Sequence, residues 1–257
     1  MHIAILGIGE VGRTLARDLL AAGATLSGWD PVPRQIPDRL HFTAGNPQAA
    51  LDADLVLSTN LSRVAVEVAQ EVLPSLKPGQ VFADMNTASP GLKREIAHLF
   101  EDSQALFTDV AIMAPIVQRG IRTPMLASGQ GAQVFSDLLS PCGAPISVLP
   151  GPAGEAATNK LLRSVFYKGV AAVVIETLEA ASQLNLEGWA REQMLTILRD
   201  ESMIDRFVEG SQTHAARRID EMNAVISLLQ ELGVQPYSSS AARERLRDLL
   251  DNKMSEQ

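Results

Sequence analysis

Six residues near the start of the chain, Gly7-Ile8-Gly9-Glu10-Val11-Gly12, constrain its fold more than any other segment. They follow a short apolar run at residues 2–6 and open an amphipathic stretch at residues 11–22 that stops at Gly23. A strand that turns at once into a helix needs three special positions. Gly7 permits the tight turn, Gly9 lets the backbone approach a pyrophosphate, and Gly12 lets helix pack closely on strand. Ile8, Glu10 and Val11 complete the turn, and the helix start offers unpaired N–H groups and a positive dipole end to phosphate. Asp30 closes the second expected strand, 23 residues beyond Gly7. A carboxylate there accepts hydrogen bonds from adenosine ribose hydroxyls and repels a 2′-phosphate, which favours NAD over NADP. Arg34, close behind, could serve a 2′-phosphate and keeps NADP as the alternative. A tight turn without ligand, or an FAD site, are the other readings of the same motif.

The rest of the first half alternates in the same way. Strand-like runs at residues 2–6, 25–29, 40–43, 54–59, 80–84, 105–109, 125–128 and 145–149 are interleaved with helix-like stretches at 11–22, 62–73, 90–100 and 132–139. Such alternation with short connections predicts an α/β fold with a parallel, doubly wound sheet. The pattern ends at Pro150-Gly151-Pro152-Ala153-Gly154. Beyond it the strand signals stop, and residues 155–184, 188–201, 212–232 and 241–252 read as helices. The middle of the first, residues 169–175, is apolar on every side, so burial against other helices or a second subunit is expected. The expected organisation is a Rossmann-type dinucleotide-binding domain over residues 1–150 and a smaller all-helical domain over residues 151–257, used for substrate and dimerisation. A helix this long and apolar exceeds the needs of a small lone domain, so a homodimer is expected.

Composition narrows function by exclusion. Hydrophobic residues make up 46% of the 257 and charged residues 20%, as in an ordinary globular chain. A net charge of -8 argues against nucleic-acid binding, which needs clustered Lys and Arg. A local basic pocket for a small anionic substrate is compatible with it. The longest apolar run, residues 170–175, is far too short to span a bilayer. Met1 runs straight into apolar residues with no basic leader, so no signal peptide is expected. One cysteine, Cys142, cannot form an internal disulfide, which fits a cytoplasmic setting. His2, His41, His98 and His214 are scattered without ligand spacing, so no metal site is expected.

Three further segments fall at the carboxyl ends of expected strands, where open parallel sheets bind ligands. They are Ser58-Thr59-Asn60, Asp84-Met85-Asn86-Thr87-Ala88-Ser89-Pro90 and Asp109-Val110-Ala111-Ile112-Met113-Ala114-Pro115. Thr59, Asn60, Asn86 and Thr87 are candidates for the nicotinamide half of the cofactor. Taken singly, Asn86 reads equally well as a turn cap and Ser89 as a helix cap.

With these segments in view, the chain resembles the β-hydroxyacid dehydrogenases, which include 3-hydroxyisobutyrate and 6-phosphogluconate dehydrogenases. The resemblance runs from residue 1 to about residue 185. Residues 76–90 are similar to the family's segment lkpG…vDxST…P, and Asp109 to Pro115 stand at its substrate-loop motif DAPVSGG. Gly151-Pro152-Ala153-Gly154, followed by Asn159-Lys160-Leu161, resembles the glycine-rich turn and the helix bearing the catalytic lysine. Thr123 to Gly129 and Tyr167-Lys168-Gly169 most resemble a 6-phosphogluconate-dehydrogenase-like branch with a short, divergent C-terminal domain.

The resemblance implies an NAD(P)-dependent oxidoreductase that moves hydride between nicotinamide and the hydroxyl-bearing carbon of a small hydroxy or sugar acid, with Lys160 as acid/base. It implies substrate contacts from Met113, Ala114, Pro115 and Ser164. Tyr167 and Lys168 share a helix face with Lys160 by i, i+7, i+8 spacing and join that set. A neutral lysine can take the hydroxyl proton, and burial or a nearby Lys168 would favour the neutral form. The chain departs from the family twice. The loop serine and glycines align with Met113-Ala114-Pro115, and Ser164 replaces the asparagine four residues after the lysine. The usual substrates therefore do not carry over. One rival is an imine reductase, although those enzymes usually place another residue at the Lys160 position. The other is a catalytically inactive NAD-binding regulatory protein, motivated by the altered substrate positions.

Overall fold

A computed structural model describes residues 1–32, 35–198 and 200–255. The chain divides into two compact units, Met1–Lys160 and Leu161–Gln257. The division falls inside the long helix, ten residues after the 150/151 position that the Pro-Gly punctuation suggests.

In the first unit, Ile3, Ala4, Ile5 and Leu6 are fully buried on both faces of β1 (His2–Leu6), as the central strand of a covered parallel sheet requires. β1 pairs on one side with β2 (Thr25–Trp29), which continues to β3 (Leu40–Phe42), and on the other with β4 (Leu55–Ser58). Beyond β4 come β5 (Val81–Asp84), β6 (Leu106–Ile112), β7 (Met125–Ser128) and β8 (Ile146–Val148), giving the order β3-β2-β1-β4-β5-β6-β7-β8. The chain thus winds outward from β1 and then reverses at β4, and the crevice of that reversal opens at the carboxyl ends of β1 and β4.

Six of the seven pairings are parallel as expected, but β7 runs antiparallel to β6. β6 continues past Asp109 to Ile112, and residues 113–124 return at the same end of the sheet, closed by a Met113 N–H bond to the Pro124 carbonyl (2.9 Å). A return on one edge needs no helical crossover, and so it reverses the strand. Asp18 on α1 (Glu10–Ala21) ties this return down by accepting from the Ile121 amide at 2.8 Å.

Apolar layers cover both faces. Leu15 and Leu19 of α1 and Phe135 and Leu139 of α6 (Ala132–Leu139) pack on one. Val68 and Val72 of α3 (Ala65–Val72) and Ile96 of α4 (Pro90–Leu99) pack on the other. Two short helices, α2 (Asn46–Ala50) and α5 (Ile116–Arg119), carry too little periodicity to be read from sequence.

The helix beginning at Glu155, α7 (Glu155–Gln183), is followed by α8 (Glu187–Leu198), α9 (Glu201–Thr213), α10 (Ala215–Glu231) and α11 (Tyr237–Ser255). The second unit is therefore all-helical within its described residues. Its core has two groups, one around Leu161, Met222, Val225 and Leu246 and the other around Val174, Leu178, Ile204 and Phe207. The residues between the two helices expected at 188–201 and 212–232 form a helix of their own, α9. Gly210 lies within α9, where Arg218 comes close against it. A Cβ there would lie 2.7 Å from Arg218 Nη2. Among the described residues, no helix is long and apolar enough to cross a membrane.

Candidate cofactor and active site

The glycine turn is built by exclusion of side chains. Gly7 has φ +94°, and a Cβ there would lie 2.6 Å from Asn60 Oδ1 and 2.8 Å from the Thr59 carbonyl oxygen. A Cβ at Gly12 would lie 2.1 Å from the Gly7 carbonyl oxygen. At Gly9 it would meet nothing within 4 Å, so the turn presents bare backbone to open space at that one position. Gly9 is also the N-cap of α1, with no side-chain hydrogen bond, which leaves the amides of Glu10, Val11 and Gly12 without a side-chain cap.

The Thr59 hydroxyl donates to the Gly7 carbonyl at 2.6 Å, and the Asn60 amide donates to Ser58 Oγ at 3.0 Å. Thr59 therefore also holds the turn itself, while Asn60 is tied back to the end of β4. Asp30 accepts from the Ile8 amide on Oδ2 (2.7 Å) and from the Val32 amide on Oδ1 (2.8 Å). These bonds aim the carboxylate and leave each oxygen a second lone pair. Arg34 lies outside the described residues. Sequence reading missed Arg13, which follows the motif directly and reaches from the Gly9 carbonyl (3.3 Å) to Gln35 Oε1 (3.2 Å).

Strand register aligns Leu6, Ser58, Asp84, Asp109 and Ser128 in one row across five neighbouring strands. The last four are fully buried polar side chains. Lys93, 1% exposed on the inward face of α4, lies with Nζ 2.8 Å from Asp84 Oδ2 and 3.1 Å from Asp109 Oδ1, and donates to the Asp84 carbonyl at 2.8 Å. Burial alone would lower its pKa, and the two carboxylates outweigh that and hold it above the ordinary lysine value. No part of this triad was anticipated as a unit. The available signal was the spacing Pro90, Lys93, Ile96, which sets a lysine on the apolar stripe of α4.

The row also sets the start of α7. Asp109 Oδ2 accepts from the amides of Gly154 (3.1 Å) and Ala157 (3.0 Å), and Ser128 Oγ accepts from Ala156 (3.0 Å). These are tertiary N-caps, supplied by strands rather than by the residue before the helix. One turn on, half-buried Lys160 donates from Nζ to Thr87 Oγ1 at 2.8 Å. Thr87 follows Asn86, whose side-chain amide donates to Asp84 and, at 3.2 Å, to Ser58 Oγ. Asn86 Oδ1 is buried and accepts no hydrogen bond among the described residues, so it retains an acceptor for a ligand. Met113 and Ala114 are half-buried and Pro115 is exposed, and none of the three brings a side-chain hydrogen-bond donor.

In the second unit, Ser164, Tyr167 and Lys168 do come together. Lys168 donates to buried Ser164 Oγ at 3.1 Å and ion-pairs with Glu221. The Tyr167 ring meets the edge of Phe207 at 4.9 Å and has the Arg163, Lys168 and Arg218 cations 5.6–5.9 Å from its centroid. Burial depresses the Lys168 pKa against the pull of Glu221, with Arg218 and Arg163 adding to the depression. Glu221 and Arg218 were missed, because the Lys168 and Tyr167 they meet lie about fifty residues earlier in sequence and they interrupt an otherwise apolar face of α10.

The strand-order reversal, the open backbone at Gly9, the uncapped start of α1 and the anchored Asp30 fit a dinucleotide's phosphates and ribose. The first unit is an NAD(P)-binding domain of the Rossmann type. Residues 2–121 match the NAD binding domain of 6-phosphogluconate dehydrogenase, and residues 169–249 match a domain of unknown function, DUF1932. An uncharacterised 28.5 kDa protein of Methanothermus fervidus is 27% identical over 97% of this chain and 99% of its own length. A probable 3-hydroxyisobutyrate dehydrogenase of Mycobacterium tuberculosis is 24% identical over 76% of this chain and 68% of its own.

Among solved structures, the conserved protein MTH1747, of unknown function and described as similar to 3-hydroxyacid dehydrogenases, superposes with a TM-score of 0.76. It is 28% identical over 99% of this chain and 98% of its own. The M. tuberculosis 3-hydroxyisobutyrate dehydrogenase (TM-score 0.80, 18% identity, 96% and 92% coverage) shares the fold, as does an imine reductase of Myxococcus stipitatus (0.67, 15%, 98% and 94%). The two family matches, these relatives and the shared fold together support a member of the β-hydroxyacid dehydrogenase family.

Proposed function

We propose that this protein is an NAD(P)-dependent dehydrogenase of small hydroxy or sugar acids, with NAD favoured, and that Lys160 is its acid/base. The observation that carries the reading is the Lys160 Nζ contact with Thr87 Oγ1 at 2.8 Å, in the same unit as the glycine turn. Bound NAD would supply the hydride acceptor. The Gly9 backbone and the first amides of α1 would hold the pyrophosphate, and Asp30 would take the ribose hydroxyls on its remaining lone pairs. Thr87 orients the Lys160 amine, which removes the alcohol proton as the carbinol carbon is oxidised and returns it in the reverse direction. The segment Met113-Ala114-Pro115 offers backbone groups to the substrate, in place of the hydroxyl that its relatives' motif would supply.

The test is a panel of hydroxy and sugar acids, assayed for NADH or NADPH appearance, with cyclic imines assayed in the reducing direction. With an identified substrate, Lys160→Met is expected to lower kcat about 10²–10⁴-fold while NADH binding persists. Unchanged turnover would overturn the role of Lys160. Tight NAD binding with no turnover across the panel would favour a regulatory protein.

We further propose that the assembly is a homodimer through α7. Leu162, Phe166 and Val173 of that helix are 50%, 74% and 64% exposed and lie on one stripe by i, i+4, i+11 spacing, an apolar face that a second copy would cover.

A further inference from the structure

A fully buried lysine between two fully buried aspartates is an expensive way to fill a core. Apolar side chains of similar volume often serve stability equally well or better. The other contacts of the triad point to a different use. Asp84 also accepts from the backbone and side-chain amides of Asn86, the residue that leads into Thr87. Asp109 also accepts from the amides of Gly154 and Ala157, the first turn of the helix that carries Lys160. Lys93 joins the two carboxylates through a single ammonium group. The two sides of the Lys160–Thr87 contact therefore hang from one ion cluster. Asp109 alone could cap the helix and Asp84 alone could hold the turn. Strand pairing sets Asp84 beside Asp109, and the shared cation couples their carboxylates, from outside the hydrogen bond it governs.

We propose that Lys93, Asp84 and Asp109 are positioning residues, a buried clamp that fixes the Lys160 amine against the Thr87 hydroxyl. The clamp acts through backbone amides and needs no contact of its own with substrate or cofactor. Its functional meaning rests on the acid/base reading of Lys160, but its geometry can be tested without any substrate. Register within a fraction of an ångström is what proton transfer by a side chain demands, and side chains reach it when supporting contacts lock them.

The test is competitive acetylation of the full-length protein with trace acetic anhydride, read by peptide mass spectrometry. The ratio of Lys160 to Lys77 labelling is followed, because Lys77 is exposed and its ion-pair partner, Asp52, lies outside the clamp. Thr87→Val removes the direct contact and sets the scale. That variant, Asp109→Ala and Lys93→Met are each expected to raise the ratio about fivefold, the equivalent of one lost hydrogen bond. Asp109→Asn should fall between Asp109→Ala and the unmodified protein, because its amide oxygen still accepts from Gly154 and Ala157. NADH titration of each variant checks that the glycine turn is intact.

An unchanged ratio in Asp109→Ala and Lys93→Met, beside a raised one in Thr87→Val, overturns the clamp. So does a Thr87→Val ratio equal to that of the unmodified protein. If Lys93→Met does not fold, hydrogen exchange of the unmodified protein decides. The Gly154 and Ala157 amides should be protected like helix-interior amides, and exchange at the rate of an uncapped helix start overturns the proposal. A turnover result on Lys160→Met is independent of all these readings, so the two ideas fail separately.

Discussion

A methyl group at Gly12 would sit 2.1 Å from a carbonyl oxygen, and the same group at Gly9 would meet nothing within 4 Å. The two glycines of one motif thus do different work. Gly12→Ala forces helix from strand and is expected to destabilise the fold by about 1–3 kcal/mol, seen as a lowered urea midpoint. Gly9→Ala is expected to change stability by about 1 kcal/mol or less and to weaken NADH binding selectively, which a fluorescence titration beside the urea curve would separate.

Lys93 has the opposite character, since its chemistry lies entirely in what surrounds it. Its raised pKa keeps the triad's contribution whole below the ordinary lysine value, and that contribution is lost only as pH climbs through the raised one. In Lys93→Met two buried carboxylates face each other without a cation, a loss of about 3–5 kcal/mol that proton uptake relieves. The deficit relative to the unmodified protein should therefore grow between about pH 5 and pH 8, and thermal melts at both ends check the sign.

At the scale of elements, the start of α7 shows how a helix can be placed from outside. Strands β6 and β7 cap its first turn through Asp109 and Ser128. Ser128→Ala removes the acceptor of the Ala156 amide and is expected to lower stability by about 0.5–2 kcal/mol, with faster amide exchange confined to the first turn of α7. The reversal of β7 belongs to the same logic. In the antiparallel register, Ser128, the last residue of β7, stands beside Asp109 in the middle of β6. By contrast α4 carries its own cap, Ser89 accepting from the Leu92 amide at 3.2 Å, and was legible from the chain alone.

At the scale of the molecule, an acidic chain carries one local group of cations, Arg163, Lys168, Arg217 and Arg218, around Tyr167 and Glu221 in the second unit. The exposed stripe of α7 is the feature behind the proposed homodimer. Sedimentation equilibrium should give twice the chain mass, and Phe166→Glu with Val173→Glu should return it to the chain mass with the fold retained. A monomeric unmodified protein would overturn the dimer.

The sequence by itself determined what depends on neighbours along the chain. The glycine turn was legible because a missing Cβ and a positive φ are local steric facts, and the order of strands and helices because the periods of 2 and 3.6 are local too. The reading of Lys160 came from a resemblance carried by the Gly-rich turn before it. Tertiary structure alone decided which charges meet. Asp84 and Asp109 are 25 residues apart, Lys168 and Glu221 are 53 apart, and nothing periodic links either pair. The same holds for Asp30, whose carboxylate is aimed by an amide 22 residues earlier. A buried charge takes its partner from whatever the fold brings within a few ångströms of low dielectric, and that proximity is not written in any short window of residues.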